Sequence, residues 1–363
     1  MSLPDFANTR DAKKLLRNIS SRMTATDPVT IMEVCGTHTV EIGRSGLRHV
    51  LPENLTLISG PGCPVCVTPA DFIDQAANAA RDSGVTVLTY GDMIRVPGNE
   101  TSLETVSTAG ADVRVVTSAA QAVDLADQNP NREFMFLAVG FETTMPGTAV
   151  AVLQAHQKKL KNLSFFISHR VVPPALEALA DDPELALSGF LLPGHVSAII
   201  GTGPYAFLAD QEIPGAVTGF ETVDILLGVL RVVEMSVSHK AEIVNAYPRA
   251  VKDKGNPTAV EIIHRVFEPC DAVWRGIGSL PESGKCLRSE YADYDAAERY
   301  NLTIGETRMP DGCSCGDVLR GKIRPRDCPL FGKACVPEHP VGPCMVSSEG
   351  SCAAYFKFGM HRS

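Results

Sequence analysis

Sulfur is the most informative chemistry in this chain. Its 363 residues include 11 cysteines, unevenly placed. Cys35, Cys63 and Cys66 lie near the start, none occurs from Val67 to Pro269, and eight fall between Cys270 and Cys352. An odd count in a large chain whose polar start (MSLPDFANTRDAKKLL) has no signal-peptide core is a poor match to a secreted disulfide scaffold. It is a better match to metal or redox chemistry.

The last stretch is the densest. Cys328, Cys335, Cys344 and Cys352 are separated by six, eight and seven residues, and Cys313 and Cys315 precede them as C-x-C. Soft, charged thiolates bind iron well, and four satisfy a [4Fe–4S] cluster. Structural zinc also takes four, but usually as paired C-x2-C knuckles, which are missing here. Disulfides are disfavoured by compartment, although a redox-active one fits the residues. Six cysteines for four ligand positions leave two spare. Cys313 and Cys315 could replace a nominated ligand, or pair with each other or with Cys63 or Cys66.

The N-terminal thiols sit at strand ends. Cys35 follows the strand candidate Thr30–Val34, where functional loops gather in an open parallel sheet. His38, three residues on, could lower its pKa or donate a hydrogen bond; the alternative is a small core cysteine beside a turn glycine. Gly60-Pro61-Gly62-Cys63-Pro64-Val65-Cys66 follows the next strand and contains C-x2-C. Two thiols in such a turn form a disulfide or bind one metal side by side, and the dipole of a helix starting at Asp71 could favour their thiolates. Two further loops, Gly91–Gly98 and Pro193–Ser197, could aim Asp92 and His195 into the same cleft. A helix cap for Asp92 and a satisfied surface imidazole for His195 are the plainer readings.

Parallel strands and helices must position these residues. Strand candidates are Thr30–Val34, Leu55–Ser59, Val85–Tyr90, Val113–Thr117, Phe134–Val139, Phe165–Ser168, Gly189–Leu192 and Ala216–Thr218. Amphipathic segments lie between several: Asp71–Asp82, Pro146–Lys159 and Val172–Ala180. Such alternation implies parallel sheets with helices on both faces. A short repeat, Gly140-Phe141-Glu142-Thr143 and Gly219-Phe220-Glu221-Thr222, follows a strand and opens a helix each time. The expected organisation is α/β, with two related doubly wound parallel-sheet units and an irregular cysteine-rich region. An N-terminal helical segment (1–28, with its helix at Asp11–Ile19) precedes a first unit (29–118) and a second (119–240). The remainder (241–363) is too poor in periodic apolar residues to form a large core alone and needs a staple such as a metal cluster.

A net charge of −9 argues against a nucleic-acid partner. No apolar run is long enough to span a bilayer; the nearest, Val223–Val233, is broken by Asp224 and Arg231. A cytoplasmic location is therefore expected.

Together the motifs resemble one family. In order, the chain carries Cys-Gly-Thr-His from Cys35 and Gly-Pro-Gly-Cys-Pro-Val-Cys from Gly60. It continues with Gly-Asp-Met-Ile-Arg-Val-Pro-Gly from Gly91, Gly-Phe-Glu-Thr-Thr from Gly140 and Pro-Gly-His-Val from Pro193. Cys-Ser-Cys-Gly from Cys313, Leu-Arg-Gly from Leu319 and Gly-Pro-Cys-Met-Val-Ser-Ser-Glu-Gly-Ser-Cys from Gly342 complete the set. This pattern is similar to that of the HypD hydrogenase maturation factors over nearly the whole chain. The resemblance implies two similar α/β units and a third region with a [4Fe–4S] cluster, here on Cys328, Cys335, Cys344 and Cys352. It implies a complex with the small chaperone HypC, and cyanide-derived ligands delivered by HypE, which HypF serves. On that complex an iron atom acquires two cyanides and one carbon monoxide before passing to the large subunit of a [NiFe]-hydrogenase. Carried over by motif, Cys35 is the candidate for holding this iron transiently. Cys63 and Cys66 form a thiol pair for redox steps, and His38, Asp92 and His195 flank the iron or handle protons. The chain is thus expected to be a metallocentre-assembly scaffold with redox activity, with no turnover step assigned to it. The rival expectations are a stand-alone iron–sulfur-linked thiol-disulfide oxidoreductase and a zinc-stabilised interaction module.

Overall fold

The computed structural model describes residues 10–23, 28–305 and 307–359. Among the described residues there are eleven strands. They are β1 (Val29–Glu33), β2 (Leu55–Ser59), β3 (Thr86–Thr89), β4 (Val113–Val115), β5 (Phe134–Gly140), β6 (Leu163–His169), β7 (Gly189–Pro193), β8 (Gly215–Thr218), β9 (Ile243–Asn245), β10 (Phe267–Trp274) and β11 (Gly278–Leu287). Two sheets are wholly parallel, in the orders β2-β1-β7-β8-β9 and β4-β3-β5-β6. β10 and β11 form a separate antiparallel hairpin.

Local sequence explains the elements. β3, β5 and β7 are buried at every residue, as strands covered on both faces must be; β5 and β7 read as apolar runs, and β3 is Val-Leu between two buried threonines. Helix Ala70–Asp82 buries Phe72, Ile73, Ala76, Ala77 and Ala80 at helical spacing, as expected for 71–82. Helices Met145–Lys158 and Val172–Ala180 also match their expected ranges within a residue. The N-terminal helix runs Arg10–Arg22 and packs on helix Thr222–Ser238, burying Ala12 and Ile19. Residues 1–9 and 24–27 of the N-terminal segment lie outside the described residues.

All eight expected strands exist, but their grouping differs from the expected units at 29–118 and 119–240. β1 pairs with β7, so the first sheet combines residues 29–59 with residues 189–245. The second sheet is built from the residues between, 86–169. One unit is therefore interrupted by the other. Pairing between strands about 160 residues apart leaves no local sequence signature. The repeat does mark equivalent places: Gly140 ends β5 in the second sheet, and Gly219 follows β8 in the first.

The C-terminal region corrects a second expectation. Residues 267–287 form the hairpin; its alternation is obscured by Pro269 and a bulge between Cys270 and Ala272. The cysteine-rich stretch does not stand apart either. Cys315, Val318, Leu319, Cys335, Cys344, Met345 and Cys352 share one core with Met32, Val34, Cys63, Cys66 and Val217 of the first unit. Its last helix, Ser351–Gly359, packs on helix Gly36–Ser45. Buried Glu33 of β1 pairs with Arg48 and accepts the Ser59 hydroxyl at 2.9 Å. The Arg48 guanidinium lies 4.6 Å over the Tyr355 ring, tying that last helix to the sheet.

Candidate functional site

The carboxyl end of the first sheet carries the N-terminal thiols. Cys35 follows β1 and caps helix Gly36–Ser45 in extended conformation. Cys63 caps the short helix Pro64–Val67, its Sγ accepting the Cys66 N–H at 3.4 Å. The two loops meet backbone to backbone. Gly36 N–H donates to Gly62 O at 3.1 Å, and a Cβ on Gly62 would lie 2.4 Å from the Cys35 nitrogen. Only glycine allows that approach.

Cys35 is buried, and burial pushes its thiol up to about 11. The charge of Glu349 adds to the rise; the backbone N–H groups of Thr37 and His38 oppose it. The expectation that the His38 side chain lowers this pKa is not met. Its buried ring is held near pKa 4 by desolvation, so it is neutral at pH 7, and its Nε2 faces Gly219 O at 3.0 Å. The helix whose dipole is expected to favour the Cys63 and Cys66 thiolates begins at Ala70, beyond the short helix that Cys63 itself caps.

Both histidines meet at Phe220, in the second copy of the repeat. His38 stacks on that ring at 4.8 Å and His195 at 3.8 Å. Partial burial lowers the His195 pKa, and Glu349 acts in the opposite sense. Asp92 lies after β3 of the second sheet and is exposed; its Oδ2 accepts the Ser347 hydroxyl at 3.2 Å. Two residues on, Glu349 Oε1 accepts the Thr37 hydroxyl at 2.7 Å. Asp92 and His195 thus border the same C-terminal segment, 347–349, from different sheets.

The thiol pair runs on into the C-terminal cysteines. Cys66 is fully buried; it lies 3.9 Å from Pro343 O and is in hydrogen-bonding contact with the Cys344 thiol. Cys344 in turn contacts Cys315 and Cys352, and Cys313 contacts Cys315. One small cavity is lined by Cys313, Cys315, Cys328, Cys335, Cys344 and Cys352, closed by Phe331, Gly342 and Met345. All six cysteines line it, not only the four expected ligands. Val341 N–H donates to Cys335 Sγ at 3.3 Å.

This donor set, all thiols, has the chemistry that an iron–sulfur cluster takes. Among the described residues, no group of three or more His, Cys, Asp or Glu side chains is arranged to hold one metal ion. The six sulfurs converge on one small space of about 10 Å³. A buried cation stands beside them. Arg275 donates from Nε to Thr68 O at 2.8 Å and from Nη2 to Pro97 O at 2.9 Å, while Nη1 has no partner among the described residues. Burial lowers its pKa, against the pull of Cys315, Cys344 and Cys66. A lone buried guanidinium costs several kcal/mol, roughly, unless negative charge is nearby; the groups that act on this one are the three thiols and the Asp74 carboxyl. Arg275, Glu349 and Phe220 were not singled out from sequence. Glu349 lies inside the last cysteine motif and Phe220 inside the repeat, but Arg275 carries no local signal.

Fold and site define a class: a thiol-rich α/β protein with two parallel sheets, the first of which shares its core with a cysteine-lined C-terminal region. Comparison with known proteins places it more narrowly. Residues 10–359 match the HypD family model, described as the hydrogenase formation hypA family. The chain is 42% identical to the hydrogenase maturation factor HypD2 of Bradyrhizobium diazoefficiens, covering 99% of this chain and 97% of that one. It is 42% identical to HypD of Rhodobacter capsulatus, with 99% and 98% covered, and 42% identical to HypD of Escherichia coli, with 94% and 92% covered. The chain belongs to the HypD family.

Proposed function

We propose that this chain acts in hydrogenase maturation, as a cytoplasmic scaffold on which the Fe(CN)2CO group of a [NiFe]-hydrogenase is assembled together with HypC. The observation that carries the reading is the gathering of thiols: the Cys35 and Cys63 loops bonded backbone to backbone, Cys66 packed against the 343–344 turn, and Cys344 inside the six-cysteine cavity. Family membership and the 42% identity to hydrogenase maturation factors support the same assignment.

In this reading Cys35 holds the incoming iron as cargo. Its thiol, protonated at pH 7 by burial, gives up its proton as the soft metal binds. Thr37 and His38 N–H groups, at the helix start, hold the resulting thiolate. His195, stacked on Phe220 and held below the ordinary imidazole range by partial burial against the opposing charge of Glu349, carries protons to and from solvent. His38 stays neutral and fixes the Phe220 ring, and Asp92 positions the 347–349 segment through Ser347. Cys328, Cys335, Cys344 and Cys352 would hold the [4Fe–4S] cluster, with Arg275 balancing its charge. When bound, the cluster would supply electrons, which the Cys63–Cys66 pair would take up in its disulfide form, opening to two thiols. HypE delivers the cyanide-derived ligands, HypF serves it, and the hydrogenase large subunit receives the finished group.

The test is infrared spectroscopy of the complex with HypC, purified anaerobically from cells holding HypE and HypF. Bands from iron-bound cyanide and carbon monoxide are expected; in Cys35→Ala they disappear and hydrogenase activity is lost. A wild-type complex without such bands removes the scaffold role. The contact between Cys66 and Cys344 also favours a second reading, a stand-alone thiol-disulfide oxidoreductase. It calls for disulfide reduction without HypC and no bound cyanide.

A further inference from the structure

Two cysteines take no part in the site above. Cys270 and Cys286 lie on opposite strands of the β10–β11 hairpin, both half-buried and both with free thiols. The register sets Cys270 opposite Gly284 and Cys286 opposite Glu268. The two cysteines therefore project from the same face of the hairpin, one diagonal step apart. Gly284 keeps that step clear. Cys270 Sγ lies 3.3 Å from the place a Gly284 Cβ would take, so it leans across the bare glycine. The two thiols are close enough for Cys286 to raise the proton affinity of Cys270, and Cys286 Sγ lies 3.8 Å from Glu268 O.

Their surroundings are charged. Arg170 and Lys285 both act on Cys270, each favouring its thiolate. Arg170 follows β6 directly and donates from Nη2 to Val273 O at 2.8 Å, while Val171 N–H donates to Ser283 O at 2.9 Å. These bonds dock the hairpin on the carboxyl edge of the second parallel sheet, the edge at which functional groups collect in such folds. The first sheet carries its own thiols at the corresponding edge.

We propose that Cys270 and Cys286 form a reversible dithiol–disulfide couple, a covalent redox site distinct from Cys63–Cys66 and from the six-cysteine cavity, whose oxidising partner is a low-molecular-weight disulfide such as oxidised glutathione. One cysteine thiolate attacks the glutathione disulfide, breaking its S–S bond and releasing one glutathione thiolate. The second cysteine then attacks the mixed disulfide, forming the Cys270–Cys286 bond and releasing the other glutathione. Two electrons pass from the hairpin to glutathione, and the two thiol protons go to the two departing glutathione molecules. A diagonal step is wider than a relaxed disulfide spans, so closure draws the two strands together locally, where the bulge after Cys270 and the bare Gly284 leave room. Burial and the neighbouring thiol push Cys270 up to about 12, so exchange is slow at pH 7 and accelerates as pH rises.

The experiment equilibrates the full-length protein anaerobically in reduced and oxidised glutathione buffers, then blocks free thiols by alkylation and maps the peptides by mass. The expected result is one peptide pair joined through residues 270 and 286 at high oxidised glutathione, released by dithiothreitol. Cys270→Ser and Cys286→Ser should each leave the remaining cysteine carrying one glutathione. If residues 270 and 286 are alkylated separately in every buffer, or join only to other cysteines, the couple does not exist. No iron is needed for this measurement, so its outcome is independent of the maturation role.

Discussion

At the scale of single residues, Gly62 decides whether the thiol loops can meet. A methyl group there would sit 2.4 Å from the Cys35 nitrogen and 2.5 Å from its Cα, both backbone atoms with no freedom to turn aside. Gly62→Ala should therefore destabilise the protein by about 2 kcal/mol or more, read from the denaturant midpoint. Gly147→Ala is the internal comparison. That glycine lies in helix Met145–Lys158 with open space where its Cβ would go, so the change should be neutral or stabilise by about 0.5–1 kcal/mol. Equal losses at the two positions would contradict the close approach of the loops. The cysteines were the most legible part of the site, because residue type and strand-end position are both local. Arg275 was not. Its meaning depends on Thr68, Pro97 and the thiols of Cys66, Cys315 and Cys344, all distant in sequence.

At the scale of elements, the segment 347–349 spans the two sheets. It receives Thr37 of the Cys35 helix on Glu349 and gives the Ser347 hydroxyl to Asp92 after β3. Glu349 also raises the Cys35 pKa by its charge. Glu349→Gln keeps an acceptor for Thr37 and removes that charge. Cys35 should then alkylate several-fold faster at a given pH, because more thiolate is present. An unchanged or slower rate would show that Glu349 does not face the thiol. Strands were legible where burial on both faces makes an apolar run, as in Phe134–Val139 and Gly189–Leu192. The hairpin was not, because only parts of it are buried and Pro269, Cys270 and Gly284 interrupt its pattern. Sheet membership was also hidden, since β1 joins β7 across the whole second sheet in sequence.

At the scale of the whole molecule, buried titratable groups set opposing pH dependences. Glu142, in the first copy of the repeat, is buried with its Oε1 accepting the Val172 N–H at 2.9 Å, and Oε2 has no partner among the described residues. Desolvation raises it to about 7 from an ordinary 4.5. A carboxyl raised on folding favours the folded state fully below pH 4.5, and that contribution is lost as pH climbs to about 7. His38 and His169 do the reverse. Both are held near pKa 4, so each costs stability as pH falls from about 6.5 to 4. Glu142→Gln should therefore steepen the rise of stability with pH between about 5 and 7 and add roughly 2–3 kcal/mol at pH 7.5, measured by chemical denaturation. A parallel pair of stability curves for wild type and variant would contradict the buried, uncharged carboxyl.

The interior lined by Cys313, Cys315, Cys328, Cys335, Cys344 and Cys352 joins the C-terminal region to the first sheet, and it is the feature on which the account turns. Its direct test is iron and acid-labile sulfide analysis of the full chain, isolated without oxygen. The account predicts a brown protein with about four iron and about four sulfide per chain, reduced at least several-fold when Cys344 is replaced by serine. A folded, colourless protein with no iron, or with one zinc per chain in its place, would contradict it.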